Sequence, residues 1–248
     1  MTPLRSILAL ADFSPKSDNA VVRAAMLARE HGATLRLLHV VAPRRFAAAP
    51  AWARQRDERD PRLDHARSTL AALAARTSSA HGVAAASIVR AGDTLDVIVE
   101  EARGADLVVV AAKRSNPLRD FVLRTPTERL LRILQTPMLV VKRAALGDYT
   151  EMLVPASAAS EGRVLAATLV RARARPGDEL VVVPKDSETS RGKFLLGTLA
   201  QRLIAQSHCD VLVVPKAPGT SEAKQARAAS RATHAIAAST RAKPRPAG

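Results

Sequence analysis

The sequence predicts an α/β protein: a doubly wound, parallel five-strand sheet followed by a truncated three-strand copy of the same domain. Two observations carry this. Short apolar runs alternate with helical patterns as βαβαβαβαβ over residues 6–141, the signature of a parallel sheet covered on both faces. The chain also repeats itself. Residues 104–142 align without a gap on 177–215 at an offset of 73, which lays Gly104-Ala105-Asp106-Leu107 on Gly177-Asp178-Glu179-Leu180 and Leu139-Val140-Val141 on Leu212-Val213-Val214. Upstream the offset is 145: Ile7-Leu8-Ala9 falls on Met152-Leu153-Val154, and Gly32 falls on Gly177. The second copy therefore reads as the first with a segment removed between Gly32 and Gly104, its length of 72 residues being the difference of the two offsets. The expected organisation is a full domain over 1–143, a linker over 144–150, a truncated domain over 151–217 and a basic tail over 218–248.

Each element has a local reason. The apolar run 6–11, ending at Asp12, is a buried strand. Residues 17–31 place Val21, Val22, Ala25, Met26 and Ala28 on one helical face, and Gly32 closes the helix. A second strand covers 34–41. The charged stretch 51–79 reads as a long helix or a broken pair, with Pro61 as the interruption. A third strand covers 84–89, and a Gly92-Asp93 turn leads into a helix over 94–103 with Leu95, Ile98 and Val99 inward. The all-apolar run 107–112 is a fourth strand, buried on both faces. Thr125-Pro126-Thr127-Glu128 starts the next helix: threonine caps, proline suits the first turn, and glutamate completes a capping box. The repeat keeps this device as Thr198-Leu199-Ala200-Gln201. Met138-Leu139-Val140-Val141 is the fifth strand. The second copy retains strands one, four and five, with helices over 159–174 and 199–206.

Composition narrows the function. Apolar residues make up 47%, enough for a packed core, whereas aromatics at 2% all but remove stacking platforms for single-stranded nucleic acid. The five-residue apolar run before Asp12 is too short for a signal-peptide core, and no run approaches a membrane helix, so no membrane is expected. One cysteine, Cys209, rules out an internal disulfide framework and fits a reducing cytoplasm. The net charge is +15, of which the tail supplies +5: six Lys or Arg (224, 227, 231, 241, 243, 245) against Glu222. Rich in Ala, Ser, Thr and Pro, the tail cannot bury a core and is expected to be disordered. It is a solvated arm, or a contact for nucleic acid and other polyanions. Ending the chain after Pro218 should leave the thermal midpoint unchanged, and a drop of several degrees in a melting experiment would show that the tail docks.

With these elements in place, the chain resembles the universal stress protein family. The resemblance rests on Ile7-Leu8-Ala9-Leu10-Ala11-Asp12-Phe13-Ser14, Leu37-Leu38-His39-Val40-Val41, the Gly92-Asp93 turn, Ala105-Asp106-Leu107-Val108-Val109-Val110 and Thr136-Pro137-Met138-Leu139-Val140-Val141. It implies a sheet in the order 3-2-1-4-5 and dimers in which fifth strands face each other across a two-fold axis. Many members of the family bind ATP through Gly-x-x-Gly followed, nine residues on, by Gly-Ser/Thr after strand four. There the glycines let backbone N–H groups close on phosphate beside a helix N-terminus.

This chain departs from that pattern. The positions fall on Ala111, Arg114, Arg124 and Thr125 in the first copy, and on Pro184, Ser187, Gly197 and Thr198 in the second; only Gly197-Thr198 matches. An arginine adds a Cβ and a long stem where backbone had to approach the ligand, and Pro184 has no N–H to offer. Asp12 and Val41, at the ends of strands one and two, complete the nucleotide site that the resemblance implies. Asp12 has a second reading, as a cap for the loop before the first helix. His39 reads as a hydrogen-bonded core histidine. His208-Cys209-Asp210 lacks the further ligands a metal site requires.

The expectation is a cytoplasmic, non-enzymatic binding or regulatory protein of the stress response with a degenerate ATP site and no resident cofactor. Its alternatives are an ATP-binding regulator that grips the nucleotide through Lys113, Arg114 and Arg119, and a basic nucleic-acid-binding protein. Partners are other proteins, or self-association through fifth-strand edges. The two candidate strands, 138–141 and 211–214, are predicted to meet antiparallel within one chain in a sheet ordered 3-2-1-4-5-5′-4′-1′, with helix 159–174 on the face that helix 17–31 does not use.

Overall fold

Five apolar runs become the parallel half of the sheet: β1 (Ser6–Leu10), β2 (Thr34–Val41), β3 (Ala85–Ala91), β4 (Leu107–Ala111) and β5 (Met138–Val141). Between them lie α1 (Pro15–His31), α2 (Pro61–His81), α3 (Thr94–Ala102) and α4 (Pro126–Ile133). Three more strands follow: β6 (Tyr149–Leu153), β7 (Asp178–Lys185) and β8 (Asp210–Pro215). The structure, a computed structural model, describes residues 4–43, 60–112, 126–153, 178–185 and 207–215. All of these belong to the compact unit 1–215.

The eight strands form one sheet in the order β3-β2-β1-β4-β5-β8-β7-β6, the order predicted. Every pairing is parallel except β5 with β8, which is antiparallel. The alternation of side chains divides the core into two layers. Ile7, Ala9, Leu35, Leu37, Leu107, Val109 and Leu139 pack with residues of α1 and α2. Leu8, Leu38, Val108, Val110, Met138 and Val140 pack on the other face with Ile98 of α3 and with Leu130 and Leu131 of α4. The carboxylate of Asp106 accepts from the backbone N–H of Arg5 at 2.8 Å and of Ser6 at 3.0 Å, pinning the start of β1 beside β4.

Helix starts differ from the sequence reading for local reasons. The first helix begins at Pro15, two residues early, because Ser14 is its cap and Pro15 suits the first turn. Its end is as expected: Gly32 sits at φ +64° with its N–H on the Ala28 carbonyl. Pro61 opens a helix, with the Asp60 carboxylate accepting from the N–H of Arg62 at 3.0 Å. The expected helical residues before 60, the capping Thr125 and the helices over 159–174 and 199–206 lie outside the described residues.

The junction is as long as the expected linker of 144–150 but lies two residues earlier, since β5 ends at Val141 and β6 already begins at Tyr149. Strands β6–β8 run opposite to β5, so the end of β5 and the start of β6 lie at the same end of the sheet, three strand spacings or about 14 Å apart. The seven connecting residues, 142–148, reach at most roughly 23 Å, which suffices. The fifth-strand edges proposed for self-association are occupied by each other within the chain: Met138 pairs with Val213, Leu139 with Leu212 and Val140 with Val211. This is the antiparallel meeting within one chain that the sequence predicts, and it leaves neither edge open in the folded chain.

Candidate ligand cleft and the buried seam cluster

The loop from β1 to α1 is held by short-range polar contacts. One oxygen of the Asp12 carboxylate accepts from the Ser14 N–H at 3.1 Å and from the Ser14 hydroxyl at 2.5 Å. The Asp12 N–H donates to the hydroxyl of buried Ser17 at 3.0 Å, and the Ser14 hydroxyl in turn accepts from the Ser17 N–H at 3.2 Å. Asp12 thus supports the helix cap, the structural role read for it, from an exposed position at the cleft. Next to it, Phe13 adopts φ +59°, a left-handed conformation that costs a bulky residue on the order of 1–3 kcal/mol. Its ring stacks on His39 with centroids 4.2 Å apart. His39 Nδ1 lies 2.7 Å from the Ala11 carbonyl, an acceptor, so that nitrogen carries the proton.

A cleft of about 150 Å³ opens beside this loop, at the C-terminal ends of β1, β2 and β4 and at the starts of α3 and α4. Parallel sheets place ligands at such a switch point. Its walls are Leu10, Leu38, Val40, Leu95, Ile98, Val110 and Leu130; its polar groups are Asp12, Ser17, His39, Thr94 and Thr127; Ala11 and Ala111 complete it. Among the described lining residues there is no lysine or arginine. Of the residues picked from the sequence, Asp12 and Ala111 line the cleft, and His39, read as a core residue, lines it too. Val41 does not. It is buried against Leu63 and Ala66 of α2, while Val40 one step along the strand faces the cleft. Arg114, Arg124, Thr125, Gly197 and Thr198 lie outside the described residues.

A second cluster was not read from the sequence at all. Arg23 of α1 is 2% exposed, and its Nε lies 3.5 Å from the carboxylate of Asp210, 4% exposed, at the start of β8. The Arg23 guanidinium donates to the Gly147 carbonyl at 2.7 Å and lies 4.1 Å over the ring of Tyr149. The Tyr149 hydroxyl donates to Asp210 at 2.5 Å, and the Lys142 N–H donates to the other oxygen of the same carboxylate at 2.8 Å. One carboxylate thereby ties α1, the junction and β8 together. A faint signal existed: Ala20 and Leu27, three before and four after Arg23, place it on the inward face of its helix.

Lys142 completes the seam, donating from Nζ to the Ser207 carbonyl at 2.8 Å and to its hydroxyl at 3.0 Å. Burial lowers the Lys142 pKa from the ordinary 10.5, opposed by the charges of Cys209 and Asp210. Between the lowered value and 10.5 the unfolded chain binds more protons than the folded one, so this group adds stability as pH rises through that window. Urea unfolding measured at increasing alkaline pH up to the ordinary value of 10.5 should show that increment. Lys142→Met should flatten it, and an unchanged pH slope in the variant would refute the assignment.

A family profile described as the Universal stress protein family matches residues 3–142, just over half of the 248. The chain belongs to the universal stress protein family. Among curated proteins none matches. Among solved structures, a universal stress protein from Archaeoglobus fulgidus is 13% identical and covers 86% of this chain and 97% of its own, with a TM-score of 0.62. A functionally unknown protein from Pseudomonas aeruginosa is 17% identical and covers 86% of this chain and 92% of its own, with a TM-score of 0.52. Both likenesses extend past the segment matched by the family profile. A universal stress protein determined in complex with cAMP is 21% identical over 56% of this chain and 98% of its own, with a TM-score of 0.45. No described helix is long and apolar enough to cross a membrane.

Proposed function

We propose that the chain is a cytoplasmic, non-enzymatic binding protein of the stress response whose nucleotide site is degenerate. The observation that carries this is the loss of the glycine pattern in the sequence. The cleft has apolar walls suited to a flat ring and a few hydroxyl and acceptor groups. The glycine positions of the family pattern hold Ala111, Arg114 and Arg124 in the first copy, and Pro184 and Ser187 in the second, with only Gly197-Thr198 kept. Regulation then runs through protein contacts rather than turnover.

Calorimetric titration with ATP and Mg²⁺ tests this. The expected dissociation constant is weaker than roughly 0.1 mM, under about 5.5 kcal/mol; a micromolar value would overturn it. Arg114→Gly with Arg124→Gly should raise affinity if the obstruction is steric, and no gain would place the lesion elsewhere. The charge supports a second reading, a nucleic-acid contact through the tail, which carries a third of the +15. A DNA affinity that falls steeply with salt would favour it, and a flat salt response would exclude it.

A further inference from the structure

We propose that the buried Arg23–Asp210 pair restricts the fifth-strand seam to pairing within one chain and bars the symmetric contact between two copies. The proposal rests on reading 151–215 as a second copy, and is independent of any nucleotide.

The backbone of the seam does not by itself choose its partner. Leu139 pairs with Leu212, which is its own counterpart at the repeat offset of 73. Met138 pairs with Val213, the counterpart of Val140, and Val140 with Val211, the counterpart of Met138. A local two-fold axis therefore passes between Leu139 and Leu212. A contact of this symmetry is self-complementary. In strand terms alone, β5 would accept β5 of a second copy as readily as β8, with Leu139 against Leu139.

The polar cluster breaks that symmetry. The counterpart of Asp210 is Pro137, and at the offset of 145 the counterparts of Arg23 and Tyr149 are Thr168 and Leu4. The cluster can form only once, and only across β5 and β8. In a β5–β5 contact, Pro137 of a second copy would stand where Asp210 stands, and Arg23 would stay buried without that carboxylate. Removing one partner of a buried pair is far costlier than never having built the pair, so the cluster acts against the wrong partner as well as for the right one.

The test uses full-length chain carrying Leu139→Cys and Cys209→Ser. Two such chains can form a 139–139 disulfide only through the symmetric β5–β5 contact, because in the native seam position 139 faces Leu212. This background should stay monomeric by light scattering and form no disulfide dimer under mild oxidation at micromolar concentration.

Exchanging the counterparts, Pro137→Asp with Asp210→Pro, moves the carboxylate to where a second copy needs it. Disulfide dimers should then appear at protein concentrations lower by a factor on the order of 100 or more. Arg23→Met is the second arm. It leaves Asp210 without its guanidinium in the native seam but costs the β5–β5 contact nothing, so it too should cross-link. Adding Asp210→Leu to it should restore the monomer, because the short junction holds the two strands at an effective concentration of about millimolar. Cross-linking in the background, or in neither the exchange nor the Arg23→Met variant, overturns the proposal.

Discussion

Asp210→Ala is expected to destabilise the protein by about 3–5 kcal/mol, the loss that follows when one member of a buried ion pair is removed. The change strips Arg23 of its carboxylate at 2% exposure, and it removes the acceptor of both the Tyr149 hydroxyl and the Lys142 N–H. For a chain of this size that corresponds to a fall in the thermal midpoint of roughly 6–20 °C. Replacing both charges, Arg23→Met with Asp210→Leu, should recover most of it, since apolar residues of similar volume carry no desolvation cost. A single-variant loss below about 1 kcal/mol would mean that water reaches the cluster and screens the pair.

Leu139→Ala should cost about 2–5 kcal/mol. Leu139 and Leu212 are both fully buried, face each other in register and lie in the layer beneath α1. Each half-sheet therefore relies on the other for the burial of its fifth strand. Truncating both should show a coupling of about 0.5–3 kcal/mol in a double-mutant cycle measured by urea unfolding. Strict additivity would indicate that the two leucines pack against separate parts of the core.

The strand order was legible because it depends on patterns that tertiary context does not override. Apolar runs with helices between them admit few parallel topologies, and the two repeat offsets pointed to the three strands that follow β5 in the sheet. Helix starts were less legible. Pro61 reads equally as a breaker and as a first-turn residue, and only Asp60 as a cap decides between them. The cleft was half legible. Asp12 and Ala111 line it as the pattern implies, but Val41 points into the core while Val40 faces the cleft, because a one-residue shift on a strand exchanges the two. The Arg23–Asp210 pair was not foreseen. Its members lie on an arginine-bearing helix and in a short polar triplet far along the chain, and nothing local marks either as a partner of the other. The symmetry of the β5–β8 register likewise needs the pairing itself, since the repeat says which residues correspond and not which ones meet.

The seam also sets a schedule for synthesis. β5 is complete at Val141, but the strand that covers its outer edge begins only at Asp210, 69 residues later. At about 5–20 residues per second the ribosome needs roughly 3–14 seconds to cross that interval. Through it the nascent domain presents Met138-Leu139-Val140-Val141 as a bare apolar edge, the kind of surface on which neighbouring chains nucleate aggregates. Until β8 emerges, that edge depends on dilution or on a chaperone to stay unpaired.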